Sequence, residues 1–200
     1  MTTIKSLTIE AADPTTAEEF YNTAFGRNGQ LQTKASEEPT DGFRGFTVSL
    51  IASQPANVDA LLESALSAGA TALKPVKKSF WGYGGVVQAP DGTIWKIATS
   101  NKKNKAEASK QIDEVVLLLG VDDVGASKKF YVERGVAVAK SFGSKYVQFD
   151  TGSSPVGLGL YGRKALAKDA GVSPEGSGSH RLVIAGDGGP FTDPDGFAWE

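Results

Sequence analysis

The sequence predicts an α+β fold built as a tandem duplication, and three observations predict it. Strand-like alternation and helix-like apolar stripes succeed one another along the 200 residues. Two motifs recur, in the same order, in the two halves of the chain. A polar, lysine-rich stretch lies between them.

The recurrences are specific. LTIEAADPTTAEEFYNTAFG (7–26) and LLLGVDDVGASKKFYVERG (117–135) align Asp13 with Asp123 and Phe20-Tyr21 with Phe130-Tyr131, an offset of 110. GYGGVVQAPDGTIWK (82–96) and GDGGPFTDPDGFAWE (186–200) align Pro90-Asp91-Gly92 with Pro194-Asp195-Gly196 and Trp95 with Trp199, an offset of 104. Two ordered repeats mark a duplication. The halves are 1–99 and 111–200, and SNKKNKAEASK (100–110) reads as a solvated linker. Its lysines carry no interleaved aromatic residue to stack on bases.

Ile4 to Glu10 alternates as a half-buried strand. Asp13-Pro14 opens a helix with an N-cap and a proline at the first helical position. Its apolar face is Ala17, Phe20, Tyr21, Ala24 and Phe25, and Gly26 ends it. A strand over 46–51 precedes a second helix, capped by Asn57, with Val58, Leu61, Leu62, Ala65 and Leu66 inward and Gly69 as the stop. Short strands follow over 71–76, 84–89 and 93–99, the last two joined at Pro90-Asp91-Gly92. The second half repeats the opening with strand 112–119, helix 124–134 and Gly135, then strands near 136–142, 145–150 and 156–161.

Composition narrows the function. The net charge of −2 gives no broad positive field for nucleic acid. The longest apolar run, Val115 to Leu119, is too short to cross a bilayer. No apolar h-region follows Met1, so a signal peptide is not expected, and a cytoplasmic location fits. The absence of cysteine removes disulfides, thiolate nucleophiles and Cys-ligated zinc.

A strand, an Asp, a helix carrying Phe-Tyr, and a closing hairpin of the form (D/A)-P-D-G-x-x-W-(E/K) resemble modules of the vicinal-oxygen-chelate superfamily. That superfamily includes glyoxalase I, bleomycin-resistance proteins and extradiol dioxygenases. VDALLESALSAGATALKPVKKSFWGYGGVVQAPDGTIWK (58–96) looks like its second module throughout. The resemblance covers most of the chain and implies βαβββ modules forming strongly curved mixed sheets, with helices on the outer faces. From Tyr21 to Phe46 is 25 residues, but from Tyr131 to His180 is 49, so the first module is short by about two strands. From Phe46 to Pro90 is 44 residues, but from His180 to Pro194 only 14, so the fourth has lost roughly a helix and a strand.

The resemblance also implies where a metal would sit: His on a module's first strand and Glu on its last, a donor set suited to Zn, Ni, Fe or Mn. In the first half those positions fall on Ser6, Phe46 and Lys96. Phenylalanine offers no ligand, and an ammonium repels a cation. In the second half they fall on Val116, His180 (the one histidine) and Glu200. No cofactor is expected; the alternative is a divalent ion on His180 and Glu200.

Phe149-Asp150-Thr151-Gly152-Ser153-Ser154 matches the catalytic loop of pepsin-like aspartic proteases. Those enzymes need two such carboxylates; here the motif occurs once, between two strands, so a hairpin turn is the expected reading. The aromatic loop Phe80-Trp81-Gly82-Tyr83-Gly84-Gly85 divides between a cavity rim and edge-of-sheet packing.

The expected function is metal-independent small-molecule binding of the glyoxalase/bleomycin-resistance type. The expected pocket is lined by Ser6, Thr8, Phe46, Val48, Trp81, Tyr83 and Lys96, with Lys96 favouring an anionic or carbonyl-bearing ligand. One alternative is a metal-dependent lyase or dioxygenase using His180 and Glu200. Another is a structural scaffold whose cavity Phe46 and Trp81 fill. The expected partner is a small-molecule ligand, with no nucleic acid and no membrane; a homodimer is left open.

Overall fold

Caps and apolar stripes set the helices where the sequence marks them. Asp13 Oδ1 accepts the Thr16 N–H at 3.0 Å and starts α1 (Pro14–Phe25), which buries Ala17, Phe20, Tyr21, Ala24 and Phe25. Asp123 caps α3 (Val124–Glu133) by accepting the Gly125 and Ala126 N–H groups. The computed structural model describes residues 3–80 and 82–200.

The first half runs β1 (Ile4–Ala11), α1, β2 (Leu31–Ala35), β3 (Thr40–Gly42), β4 (Phe46–Ile51), α2 (Pro55–Ser67), β5 (Thr71–Ser79), β6 (Gly82–Gln88) and β7 (Ile94–Thr99). The second runs β8 (Glu114–Val121), α3, β9 (Ala137–Phe142), β10 (Tyr146–Asp150), β11 (Val156–Gly162), α4 (Arg163–Ala170), β12 (Gly176–Gly178), β13 (Leu182–Gly186), β14 (Phe191–Thr192) and β15 (Ala198–Trp199).

These strands make two mixed sheets, and each sheet takes strands from both halves. The eight-stranded sheet has the order β5-β6-β7-β4-β8-β11-β10-β9, with β4 and β8 antiparallel at the seam between the halves. The five-stranded sheet has the order β14-β15-β13-β1-β2, with β1 and β13 antiparallel at its seam. The smaller sheet is smaller because the first module gives it two strands and the fourth gives it three, with no helix between β13 and β14. β3 and β12 pair with each other outside both sheets.

One face of each sheet joins a single core. Leu7 and Ile9 of β1, Val48 and Leu50 of β4, Trp95 and Ile97 of β7, Leu117 and Leu119 of β8 and Ile184 of β13 share it with α1, α2 and α3. The recurring motifs meet inside this core. Tyr21 packs on Trp95 at 5.1 Å between ring centroids, and Tyr131 on Trp199 at 5.7 Å. Their polar partners differ. Tyr131 donates to Asp193 at 2.7 Å and accepts from Trp199 Nε1 at 3.3 Å. Tyr21 instead donates to Thr93 at 3.3 Å, because Ala89 stands where the second half has Asp193. Trp95 Nε1 finds no acceptor among the described residues. Burial pushes both tyrosines well above their usual titration range.

Two expectations are corrected. Asn57 is not the cap of α2: the helix begins at Pro55, with Gln54 in the cap position. Leu66 is not inward but 44% exposed. The α2 N-terminus is served from the linker, where Asn104 Oδ1 accepts the Ala56 N–H at 2.8 Å. Buried Gln54 grips the linker with its whole amide. Its oxygen accepts from Lys105 and Ala106 at 2.7 and 2.9 Å, and its nitrogen donates to the Ala106 and Glu107 carbonyls at 3.1 and 3.0 Å. Asn57 Oδ1 accepts the Ser109 N–H at 2.9 Å. The linker is exposed, yet strapped down. Gln54→Ala should cost about 2–3 kcal/mol and speed tryptic cleavage between 102 and 110, read by mass spectrometry of the fragments; an unchanged nicking rate would contradict the strap. No helix among the described residues is long and apolar enough to cross a membrane.

Candidate functional site

The faces turned away from the common core carry the polar chemistry. On β4, Phe46, Val48 and Leu50 point inward, so Ser49 points outward. Register places Ser49 beside Lys96 of β7 on one side and Val116 of β8 on the other, and Val116 beside Gly157 of β11. The row Lys96–Ser49–Val116–Gly157 therefore crosses the middle of the outer face of the eight-stranded sheet.

Helix α4 lies on this face. Leu166, Ala167 and Ala170 are buried against Phe43, Val86, Ile94 and Leu118. Arg163 anchors its first turn, donating to the Pro174 carbonyl at 2.9 Å and the Phe43 carbonyl at 2.5 Å. Gly171 ends it in the left-handed region at φ 82°. From its last turn Asp169 reaches Lys96 Nζ at 2.6 Å, with side chains 44% and 34% exposed. An ammonium has three protons to donate, so one carboxylate partner leaves others free.

Beyond the helix the face stays open. A recess of about 200 Å³ lies among Glu114, Val116, Gln148, Asp150 and Gly157. Gly157 and Gly159 keep that part of the face low. Tyr146 and Tyr161 lie with ring centroids 4.6 Å apart on the same face, and no hydrogen bond reaches either hydroxyl among the described residues. Burial raises the titration of both phenols; Tyr161 and Glu114 add to it at Tyr146, and Asp169 adds to it at Tyr161.

The seven expected lining residues do not converge. Phe46 and Val48 face the common core, 2% and 0% exposed, on the opposite side of the sheet from Lys96. Tyr83 lies on the helix-covered side, where its hydroxyl donates to Asp59 of α2 at 2.6 Å, which raises its pKa to about 12. Ser6 and Thr8 share the outer face of the other sheet. Trp81 lies outside the described residues. Lys96 alone stands on the face just described. Sequence reasoning missed Ser49, Tyr146, Tyr161, Gly157 and the whole of α4 with Asp169. A signal for α4 was present: Leu166, Ala167 and Ala170 at i, i+1 and i+4, closed by Gly171.

The residues do not fit the metal that the resemblance implies. The row offers an ammonium, a serine hydroxyl, a valine and a glycine, of which only the hydroxyl has a lone pair for a metal, and no group of three His, Asp or Glu side chains suited to a metal exists among the described residues. His180 Nδ1 lies 2.5 Å from the Arg44 carbonyl and Nε2 2.9 Å from the Asp195 carbonyl. Both ring nitrogens thus face carbonyl oxygens at hydrogen-bond distance, and no further His, Asp or Glu side chains gather with them as a metal site among the described residues. The ring also stacks on Phe197 at 4.0 Å. Glu200 lies at the far end of β13 from His180, its backbone bonded to Ile184 and Gly186. Val116 sits in the sheet-face row, remote from both.

Asp150 ends β10 at the turn into β11, where Oδ1 accepts the Gly152 N–H at 2.9 Å. That is the behaviour of a turn aspartate.

No protein-family model matches the sequence, and no curated protein matches it. Among solved structures, glyoxalase I from Zea mays aligns with a TM-score of 0.66 at 14% identity, covering 100% of this chain and 91% of that one. A putative dioxygenase from Bacillus subtilis subsp. subtilis str. 168 aligns with a TM-score of 0.56 at 12% identity, covering 92% of this chain and 69% of that one. At such identities the likeness is one of fold, and it agrees with the repeated motifs, the two mixed sheets and the shared core. The chain has the fold of the vicinal-oxygen-chelate superfamily.

Proposed function

We propose that this chain is a metal-independent small-molecule-binding protein of the glyoxalase/bleomycin-resistance type, with its ligand on the outer face of the eight-stranded sheet. The observation that carries the reading is Lys96. It is the one charge in the central row, and it is held by Asp169. A half-exposed ammonium with protons to spare favours a small anionic or carbonyl-bearing ligand. Two tyrosine hydroxyls on the same face, on β10 and β11, offer further hydrogen bonds, and their rings offer a stacking surface.

Benzoate is a suitable probe, titrated by NMR chemical-shift change. Lys96→Met should weaken it by about 1–3 kcal/mol through loss of a charge-assisted hydrogen bond. Gly157→Val, three strands from Lys96 in the row, should leave benzoate binding unchanged and the fold intact. A Cβ there meets Glu114 Oε1 at 3.2 Å, the end of a flexible side chain, and a branched residue suits a strand. A flat titration of the unaltered chain would overturn the reading. It would favour the scaffold alternative, which rests on α4 already filling part of the face with Leu166, Ala167 and Ala170.

A further inference from the structure

The five-stranded sheet also has an outer face, and it carries a second, larger opening. Thr8 and Glu10 of β1, Val183 of β13 and Ala198 of β15 share that face, since register pairs Thr8 with Val183 and Val183 with Ala198. The turn at 178–181 and the Pro-Asp-Gly turn at 194–196 rise at one end and leave a cleft of about 470 Å³.

The polar groups around this cleft satisfy one another, with one exception. His180 is held between two carbonyls. Asp195 accepts from the Asp122 N–H and from Ser127 Oγ, both at 2.7 Å. The Arg181 guanidinium is turned onto the Glu38 carbonyl, at 3.2 and 2.7 Å. The exception is Glu10. Its side chain is 16% exposed, no hydrogen bond reaches its carboxylate among the described residues, and its charged neighbour, Lys34, stands 3.9 Å away and 61% exposed. Glu10 is thus the one carboxylate lining the cleft that accepts no hydrogen bond among the described residues, and its ion pair with Lys34 at 3.9 Å leaves its oxygens able to accept from an incoming donor.

We propose that this cleft binds a small ligand through a primary ammonium group, which donates to Glu10 while its apolar part lies over Val183 and Ala198. A metal would find Asp195 already accepting two hydrogen bonds and both imidazole nitrogens of His180 faced by carbonyls. The site differs from the Lys96 face in sheet and in charge, so the two readings stand or fall separately.

Phenethylamine and its neutral counterpart phenethyl alcohol, compared by saturation-transfer NMR at neutral pH, test it. The amine should give a saturable signal and the alcohol none at the same concentration. Glu10→Gln should weaken the amine by about tenfold or more, Lys34→Ala should tighten it by removing a competing cation, and Lys96→Met should leave it unchanged. Ala198→Leu, which fills the cleft, provides a second loss variant should Glu10→Gln fold poorly. Equal binding of amine and alcohol, no binding of the amine, or binding that survives both Glu10→Gln and Ala198→Leu would overturn the proposal.

Discussion

Replacing Asp193 with alanine should lower the free energy of unfolding by about 3–4 kcal/mol, because three donors, two of them buried, lose their acceptor at once. Oδ1 accepts the Phe197 and Asp195 N–H groups at 2.8 and 3.0 Å, and Oδ2 accepts the Tyr131 hydroxyl at 2.7 Å. That hydroxyl in turn satisfies Trp199 Nε1. Asp193→Asn should cost no more than about 1 kcal/mol, since the amide oxygen can take both N–H groups and the hydroxyl can turn to accept. The pair also carries a pH signature. Burial pushes the Asp193 carboxyl above its usual 3.8, against the hydrogen bonds from Tyr131 and Phe197. The folded chain then holds this proton more tightly than the unfolded chain does. Its contribution is fully present below 3.8 and is lost as pH rises through the raised value. Urea unfolding should therefore show the native chain losing stability relative to Asp193→Asn as pH is raised from about 3.5 to neutrality; parallel curves would contradict this.

Leu166→Ala should cost about 2–4 kcal/mol, the range for truncating a fully buried leucine. Helix α4 has eight residues, too short to persist unaided, and Leu166 is 0% exposed beneath it. The substitution should also raise amide exchange across 163–170, since that helix is held to the sheet largely through Leu166, Ala167 and Ala170. A change below about 1 kcal/mol, with exchange unaltered, would show that Arg163 and the flanking loops hold α4 without Leu166.

Elements with strong local signals were legible in the sequence. Helices α1 and α3 announce themselves by Asp caps and aromatic pairs, and β1, β4 and β8 by alternation or unbroken apolar runs. Strands β2 and β3 were not legible, being short, polar and exposed. The pairing of β1 with β13 and of β4 with β8 joins residues far apart in the chain, and no local pattern encodes such partners. The candidate site suffered most from parity. Phe46 and Val48 were assigned to the pocket, yet Ser49 is the β4 residue beside Lys96. An odd shift of position on a strand moves a side chain to the other face. Asp169 escaped because its helix did, 73 residues beyond the lysine it pairs with.

The dissociation constant for benzoate, measured before and after exhaustive dialysis against EDTA, tests the central claim most directly. Since Lys96, Ser49, Val116 and Gly157 offer no metal donor set, the constant should be the same in both preparations. Binding that disappears with the chelator and returns with added zinc or nickel would contradict the account, and so would the absence of benzoate binding in either preparation.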